Sequence, residues 1–523
     1  MRGLARRLGW LIVLGLWVAG ASGVSTESHR AAVLRLAMSS EPPTLDWSLA
    51  TDNVSITVIG NLMEGLTAFD ESLRPQPAVA SRWDVSPDGT TYTFHLRHDV
   101  YWTDGRRVTA RDFEFSWKRL LNPRTGAEYA YFLYDVLNAY AYNTGRVTDP
   151  GLVGVTALDD STLRVQLTKP IVYFPSITTF VVTFPQRQDL IERYGARWTD
   201  PGRLVTDGPF VLAEWRHEYK VVLRANPHYA WGKPAIDEVR MYVVNDPSTA
   251  LTLYDTGDLD LARLPPEAIP FYEGSTEFAR VPILRGYYYG FNVTAAPFDD
   301  PLVRQAFALA IDKSEFPRIL KGGEVPTNSW IPVGMFGYNP GIGLAYDPEA
   351  ARAKLAAAGY PRGRGFPEVT AAYNTDPVNT LIAENLQAQW KRTLGVSVAL
   401  DNQEWKVYLK RLQTKTPPLY RLGWGADYPD PDNFMALFTS HSGNNYTHWA
   451  DARYDELIGQ AASMPDPVRR RQLYDEAQRI LTEEAVPIIP LFVATQNYLV
   501  KPYVRGLRLD AMELLQLKGV SIR

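Results

Sequence analysis

The chain has 523 residues, with 54 Lys and Arg against 58 Asp and Glu, a formal net charge of −4 at pH 7, and no cysteine. Charges of both signs are dispersed, and beyond the first few residues the one basic run is 469–471, so no basic stripe offers itself to a nucleic acid. A chain of this length has room for about three domains and buries ample apolar surface without disulfides, which it cannot form.

Residues 1–23 read as a signal segment. Arg2, Arg6 and Arg7 supply a positive start, and residues 8–18 form an apolar run too short to span a bilayer comfortably. Ala19 and Ala21 offer a small-x-small cleavage site. The chain is therefore expected to be exported, periplasmic or extracytoplasmic. It is not expected to be a lipoprotein, because no Cys follows the apolar run.

Residues 34–37 read as a first strand, TLDWSLATDN as a loop, and VSITVIGNLMEGL as an apolar helical run. YTFHLRHDVYW alternates over part of its length and has the composition of strands. Asp104-Gly105 is a turn. Thr109 then caps a helix, TARDFEFSWKRLL, with Asp112 completing an approximate capping box. LVGVTALDDSTLRVQLTK reads as a hairpin around Asp159-Asp160.

The second half changes character. Four helices start with Asp-Pro: Asp300-Pro301, Asp347-Pro348, Asp376-Pro377 and Asp466-Pro467. Asp accepts from the first free N–H groups, and Pro lacks the N–H that has no partner at that position. Gly359 closes the second of these helices, and Gly395 closes the third before the strand VSVAL. Helix-then-strand alternation predicts an α/β lobe. No repeat and no low-complexity linker is visible, so lobes must be joined by ordinary strand crossings.

The most informative stretch is YRLGWGADYPDPDNFMALFTSHSGNNY, residues 420–446. It opens as a buried strand over 420–424, then sets Asp427 between Trp424 and Tyr428. A carboxylate there is costly to desolvate unless a cation or several N–H donors meet it. A ligand ammonium would do so. The residues alone equally allow Asp427 to cap the short helix of PDNFMALF or to form an Asx-turn. The 14 Trp and 29 Tyr supply apolar faces with polar tips, as ligand clefts use.

No catalytic constellation stands out. G-x-S-x-G, H-E-x-x-H, a phosphate loop and a post-strand G-x-G-x-x-G are all missing. His95 and His98 lie three apart on a predicted strand and so face opposite sides. His441 and His448 flank the Asp427 region and could approach one ligand. No pair among the many carboxylates is singled out. The expectation is a non-enzymatic protein without metal or other cofactor.

Several blocks then carry a resemblance. WDVSPDGTTYTFHLRHDVYWTDGRRVTARDFEFSWKRLLNP is followed by GPFVLAEW, RANPHYAWGKPAIDEV and FNVTAAPFDDPLVRQAFALAIDKSEF. LDNQEWKVYLKRLQ, GWGADYPDPDNF and NNYTHWADARYDELI complete the order. With these blocks the chain resembles the extracytoplasmic peptide-binding proteins of ABC importers, the oligopeptide/dipeptide solute-binding family.

The resemblance implies an α/β, two-lobed periplasmic-binding-protein-like fold with an additional inserted domain, three structural domains in all, closing by a hinge over its ligand. Lobe 1 would combine residues 29–64, 190–290 and 495–523. The inserted domain would be 65–189, and lobe 2 291–494. Short peptides and importer permease subunits are the implied partners. The protein would be a monomer that meets the membrane only through the transporter.

By resemblance, Asp427 would hold the peptide α-amino group. Asn53, Tyr129, Gly423 and Gly425 would pair with its main chain, and Trp405 and Trp424 would line side-chain pockets. Arg421 would meet a short peptide's carboxylate, or else form an internal salt bridge. Two positions depart from oligopeptide-binding relatives. Asn379 stands where they have His, and Leu412 where they have Arg, with Arg411 adjacent. These losses point to peptides of roughly two to four residues, whose two termini Asp427 and Arg421 would both reach. The family also includes receptors for sugars and metal chelates, so a same-fold receptor for another solute is the alternative, and a secreted hydrolase the more distant one.

Overall fold

The computed structural model describes residues 31–523, and the signal segment lies outside them. Two long strands, Phe278–Phe291 and Ile488–Val500, carry the architecture. Both are rich in aromatic and β-branched residues and run antiparallel to each other. Phe278 to Pro282 pair with Leu499 to Thr495, and Gly286 to Gly290 pair with Val493 to Ile488. The register breaks between Pro282 and Gly286. A proline cannot donate to the ladder, and a side chain at 286 has no room, since a Cβ there would lie 2.8 Å from the Trp330 ring.

One eleven-stranded sheet grows from this pair in both directions. On one side Ile488–Val500 pairs with Leu261–Arg263, which lies beside Val33–Met38. Val33–Met38 runs parallel to Glu238–Val243, and the antiparallel strands Lys220–Ala225 and Phe210–Arg216 complete that half. On the other side Phe278–Phe291 pairs with Leu419–Gly425, which runs parallel to Val369–Asn374, and that strand to Val398–Gln403. The parallel strands are connected by helices, among them Pro377–Leu394, as right-handed crossovers require.

A separate four-stranded antiparallel sheet is built from Ala80–Val85, Thr91–Leu96, Thr162–Gln166 and Val155–Asp159. Helix Ala110–Leu121 packs on it, and Asp112 accepts the Thr109 N–H at 2.8 Å as the capping box requires. A single apolar core joins this sheet to the first half of the large one, with Ile59, Trp117, Phe174, Leu223 and Met241 among its members. Two further cores fill the other half. One is centred on Phe307, Trp390 and Ile489, the other on Trp330, Tyr420 and Tyr474.

All four Asp-Pro helix starts form as expected, each Asp accepting backbone N–H groups of the first turn. A fifth, Asp246-Pro247, opens helix Pro247–Asp255 by the same chemistry and was not anticipated. The strand expected in YTFHLRHDVYW ends at Leu96, so His98 is not on it. His95 instead meets the Asp84 carboxylate across the sheet at 2.7 Å.

Beside the first core sits a group of buried acids. Asp207 accepts the Glu64 N–H at 3.0 Å through one oxygen, and its other oxygen has no partner. Burial, aided by the Glu64 charge, drives the Asp207 carboxyl well above the ordinary range. A carboxyl raised in the folded state contributes stability below its unfolded pKa of about 3.9 and loses it as pH climbs toward the folded value. Asp207→Asn keeps the accepting oxygen and removes the titration. Thermal denaturation between about pH 4 and pH 8 is expected to show the variant gaining on the parent as pH rises. A constant difference across that range would contradict this account of Asp207.

Candidate functional site

The candidate site is built on the strand Leu419–Gly425. One edge pairs along its whole length with Phe278–Phe291, from Leu419 opposite Phe291 to Gly425 opposite Arg285. The other edge pairs with Val369–Asn374 only at Leu419 and Tyr420. From Arg421 onward no strand of the described residues covers it. Buried status follows: Leu419 and Tyr420 are buried, whereas Arg421 to Trp424 are half-buried and Gly425 is exposed. The expected fully buried strand is thus corrected, because its partner runs out after two residues.

Which backbone groups face the open edge follows from alternation. The Ala426 N–H bonds Leu284 O, on the paired side, at 2.8 Å. With a period of two, Gly423 and Gly425 turn their N–H and C=O groups to the open side. Arg421 does so too, and its carbonyl there accepts the Tyr408 hydroxyl at 2.6 Å. The free main-chain groups are therefore those of Gly423 and Gly425. Arg421 to Gly425 measure about 13 Å along a strand.

Asp427 stands two residues past the strand. It does not cap the short helix Asp432–Met435, whose first residue donates its N–H to the Asp430 carboxylate at 3.0 Å. Instead its Oδ2 accepts the Tyr131 hydroxyl at 3.1 Å, and its N–H bonds Asn433 Oδ1 at 3.1 Å. The same Oδ1 accepts Trp424 Nε1 at 2.8 Å, so Asn433 fixes Trp424 and Asp427 together. Burial pushes the Asp427 carboxyl above the ordinary range, with Tyr131 and Asn433 pulling the other way. No cation pairs with it among the described residues.

The turn that carries Asp427 is clamped on both sides. Tyr428 stacks on Tyr173 at 5.4 Å and donates to Asp432 at 3.1 Å. Burial and the neighbouring Asp430 push the Asp432 carboxyl up to about 6. Asp430 itself forms a buried two-bond pair with Arg470, at 2.7 and 2.8 Å.

At the other end, the Arg421 guanidinium lies 4.3 Å over the Tyr287 ring and donates to Asn374 Oδ1 at 3.0 Å. A Cβ at 423 would stand 3.0 Å from Gly286 O, so glycine there suits the close approach of the neighbouring strand. Arg421 has no carboxylate partner among the described residues, and its buried Nε has no acceptor. Asn379 is part of the same support. It accepts the Tyr287 hydroxyl at 2.9 Å and donates to Asn374 Oδ1 at 3.1 Å. Leu412 is core, and Arg411 is paired with Asp401.

The remaining candidates lie around this strand. Tyr129 packs against Tyr131 at 5.7 Å and donates to Thr51 O at 3.2 Å, which links it to the helix start at Asn53. Trp405 opens helix Trp405–Thr414, exposed, with its ring 6.3 Å from Tyr408. His448 bonds Thr416 at 3.1 Å rather than turning to Asp427. Tyr131, Asn433, Tyr287, Asn374 and Tyr408 were not singled out in the sequence. The one available signal was the alternation of Tyr129 with Tyr131.

Comparisons with known proteins give the family. Residues 74–446 match the family model described as bacterial extracellular solute-binding proteins, family 5 Middle. The oligopeptide-binding protein OppA of Bacillus subtilis is 33% identical over 498 residues, covering 92% of this chain and 91% of its own. The unliganded open form of the periplasmic murein tripeptide-binding protein MppA superposes with a TM-score of 0.85 at 32% identity, over 94% of this chain and 98% of that one. OppA of Haemophilus influenzae in complex with the peptide RPPGFSPFR gives 0.73 at 30% identity, over 94% and 99%. The two-lobed fold, its sheet shared across two crossing strands, and a match over most of the length place this chain in family 5 of the bacterial extracellular solute-binding proteins.

Proposed function

We propose that the protein is a non-enzymatic extracytoplasmic receptor that captures short peptides and delivers them to the permease subunits of an ABC importer. One observation carries the reading. A strand edge with free backbone groups at Gly423 and Gly425 ends in a desolvated carboxylate, Asp427, on one side and an unpaired guanidinium, Arg421, on the other. An extended peptide satisfies all three features at once. Its main chain adds to the edge, its ammonium meets Asp427, and its carboxylate meets Arg421. Backbone pairing is blind to side chains, so such a site takes many sequences. Asn53 and Tyr129 supply the facing wall, and Trp405 and Trp424 flank the side-chain space. The peptide complex of the Haemophilus relative supports this class of ligand.

Ligand length follows from the two charged ends. A peptide of three or four residues spans about 10–14 Å when extended, which matches the edge. Neither Asn379 nor Leu412 offers a second cation, and Arg411 is held by Asp401. The receptor acts as a monomer without a lipid anchor. Its lobes, 29–64 with 190–290 and 495–523 beside the inserted 65–189, and 291–494, close about the register break between Pro282 and Gly286. Ligand that bridges them shifts the population to the closed form.

Asp427→Ala is expected to weaken free-amine peptides by about 3–5 kcal/mol, the cost of leaving one buried charge alone. N-acetylated peptides should bind the parent poorly. Affinity for free-amine peptides should fall on acidification, starting above the ordinary aspartate range, because protonation removes the charge that holds the amine. Calorimetry that finds acetylated and free peptides equal would remove Asp427 from the site.

Arg421→Ala should cost peptides of two to four residues about tenfold or more in affinity and longer ones less, since only the short ones reach both ends. A uniform loss at every length would make Arg421 structural. Small-angle scattering at saturating ligand should give a smaller radius of gyration than without ligand. An unchanged profile would mean a rigid cleft.

A further inference from the structure

Strand Ile488–Val500, with Leu261–Arg263 and Val33–Met38 beside it, also walls a cavity of about 430 Å³. Its lining is largely apolar, with Leu36, Met38, Val54, Met241, Leu264 and Ile269. Three charged side chains, Arg263, Glu324 and Glu513, complete it. Two of these are accounted for. Glu513 is paired with Arg285. Glu324 accepts the Gly322 N–H at 3.1 Å, with Arg280 nearby, and its burial disfavours the charged form. Arg263, exposed at the end of strand Leu261–Arg263, has no carboxylate partner among the described residues.

The cavity comes near the Gly425 end of the site strand by two routes. Asn53 belongs to its lining, one residue from the Asp52 cap of its helix. Arg285, the partner of Glu513, stands opposite Gly425 on the covered edge of that strand, close enough that a Cβ at 425 would lie 3.5 Å from its Nε. A peptide whose amine lies at Asp427 therefore has its first residues beside this cavity. A guanidinium at an apolar wall fits an acidic side chain, whose methylene stem lies on the wall while the carboxylate takes the two-pronged donor.

We propose that this cavity is a side-chain subsite in which Arg263 selects an acidic residue at the first or second position of the bound peptide. The proposal rests on the receptor reading above and adds a preference to it. Titration calorimetry on the whole protein tests it with trialanine derivatives carrying Glu or Gln at position one or two. Glu is expected to exceed its isostere Gln about tenfold at one of the two positions. That preference should vanish in Arg263→Gln and return in part in Arg263→Lys. Equal binding of the Glu and Gln peptides at both positions, or a preference that survives in Arg263→Gln, overturns the subsite and leaves the receptor reading standing. Binding of none of these peptides overturns the receptor reading, and the subsite with it.

Discussion

Everything at the site depends on the antiparallel pairing of Phe278–Phe291 with Ile488–Val500. This pair makes one sheet of two halves, so the halves are joined by hydrogen-bonded strands rather than by a tether. The site strand Leu419–Gly425 hangs directly from it, with every residue opposite a residue of Phe278–Phe291. The far edge of that strand is open because its parallel neighbour pairs with it at two residues only. An open edge is an aggregation hazard in most sheets. Here it is short and flanked by Asp427 and Arg421, so it offers little length for a second sheet to pair with.

The charges at the two ends share a design. Asp427 is supported by neutral donors, Tyr131 and Asn433, and Arg421 by a neutral ring and a neutral amide, Tyr287 and Asn374. Neutral supports fix the position of a charge without cancelling it, and the desolvation cost then remains to be offset by a ligand. Other ionic groups nearby are treated differently. Arg470 is closed off by Asp430, and Arg411 by Asp401. The distinction between a charge held by neutral groups and one held by a counterion separates candidate ligand contacts from scaffold.

Local chemistry made much of this legible in advance. The four Asp-Pro starts, the capping box at Thr109 and the hairpin at Asp159-Asp160 are each decided within a few residues, and each forms. The fifth start at Asp246 obeys the same rule and should have been read. What the sequence hid is non-local. Whether residues 421–425 are covered depends on where Val369–Asn374 ends its pairing, which no pattern within 420–446 encodes. Tyr131 reaches Asp427 across 296 residues. Asn379 looked like the loss of a basic group, yet it is the residue that orients Tyr287 beneath Arg421. Arg421 looked like one half of a salt bridge or a ligand contact, and only the fold shows that no carboxylate lies beside it.

The division of labour among these parts has a physical consequence for selectivity. In the proposed binding mode, main-chain pairing along Gly423 and Gly425 would add affinity that is the same for every sequence, so it would not discriminate. In that mode the two terminal charges would discriminate by length alone, because their separation is set by a strand and not by any ligand side chain. Discrimination by composition must then come from whatever faces the ligand's side chains. Near the Gly425 end the proposed surface is the cavity beside Ile488–Val500, whose lining is largely apolar and whose Arg263 has no carboxylate partner among the described residues. Strand Ile488–Val500 lines that cavity through Thr495 to Tyr498, and Thr495 stands opposite Pro282 at the register break. In the proposed receptor, a side chain filling the cavity would therefore touch one of the two strands about which the lobes are proposed to close, which would couple side-chain recognition to closure.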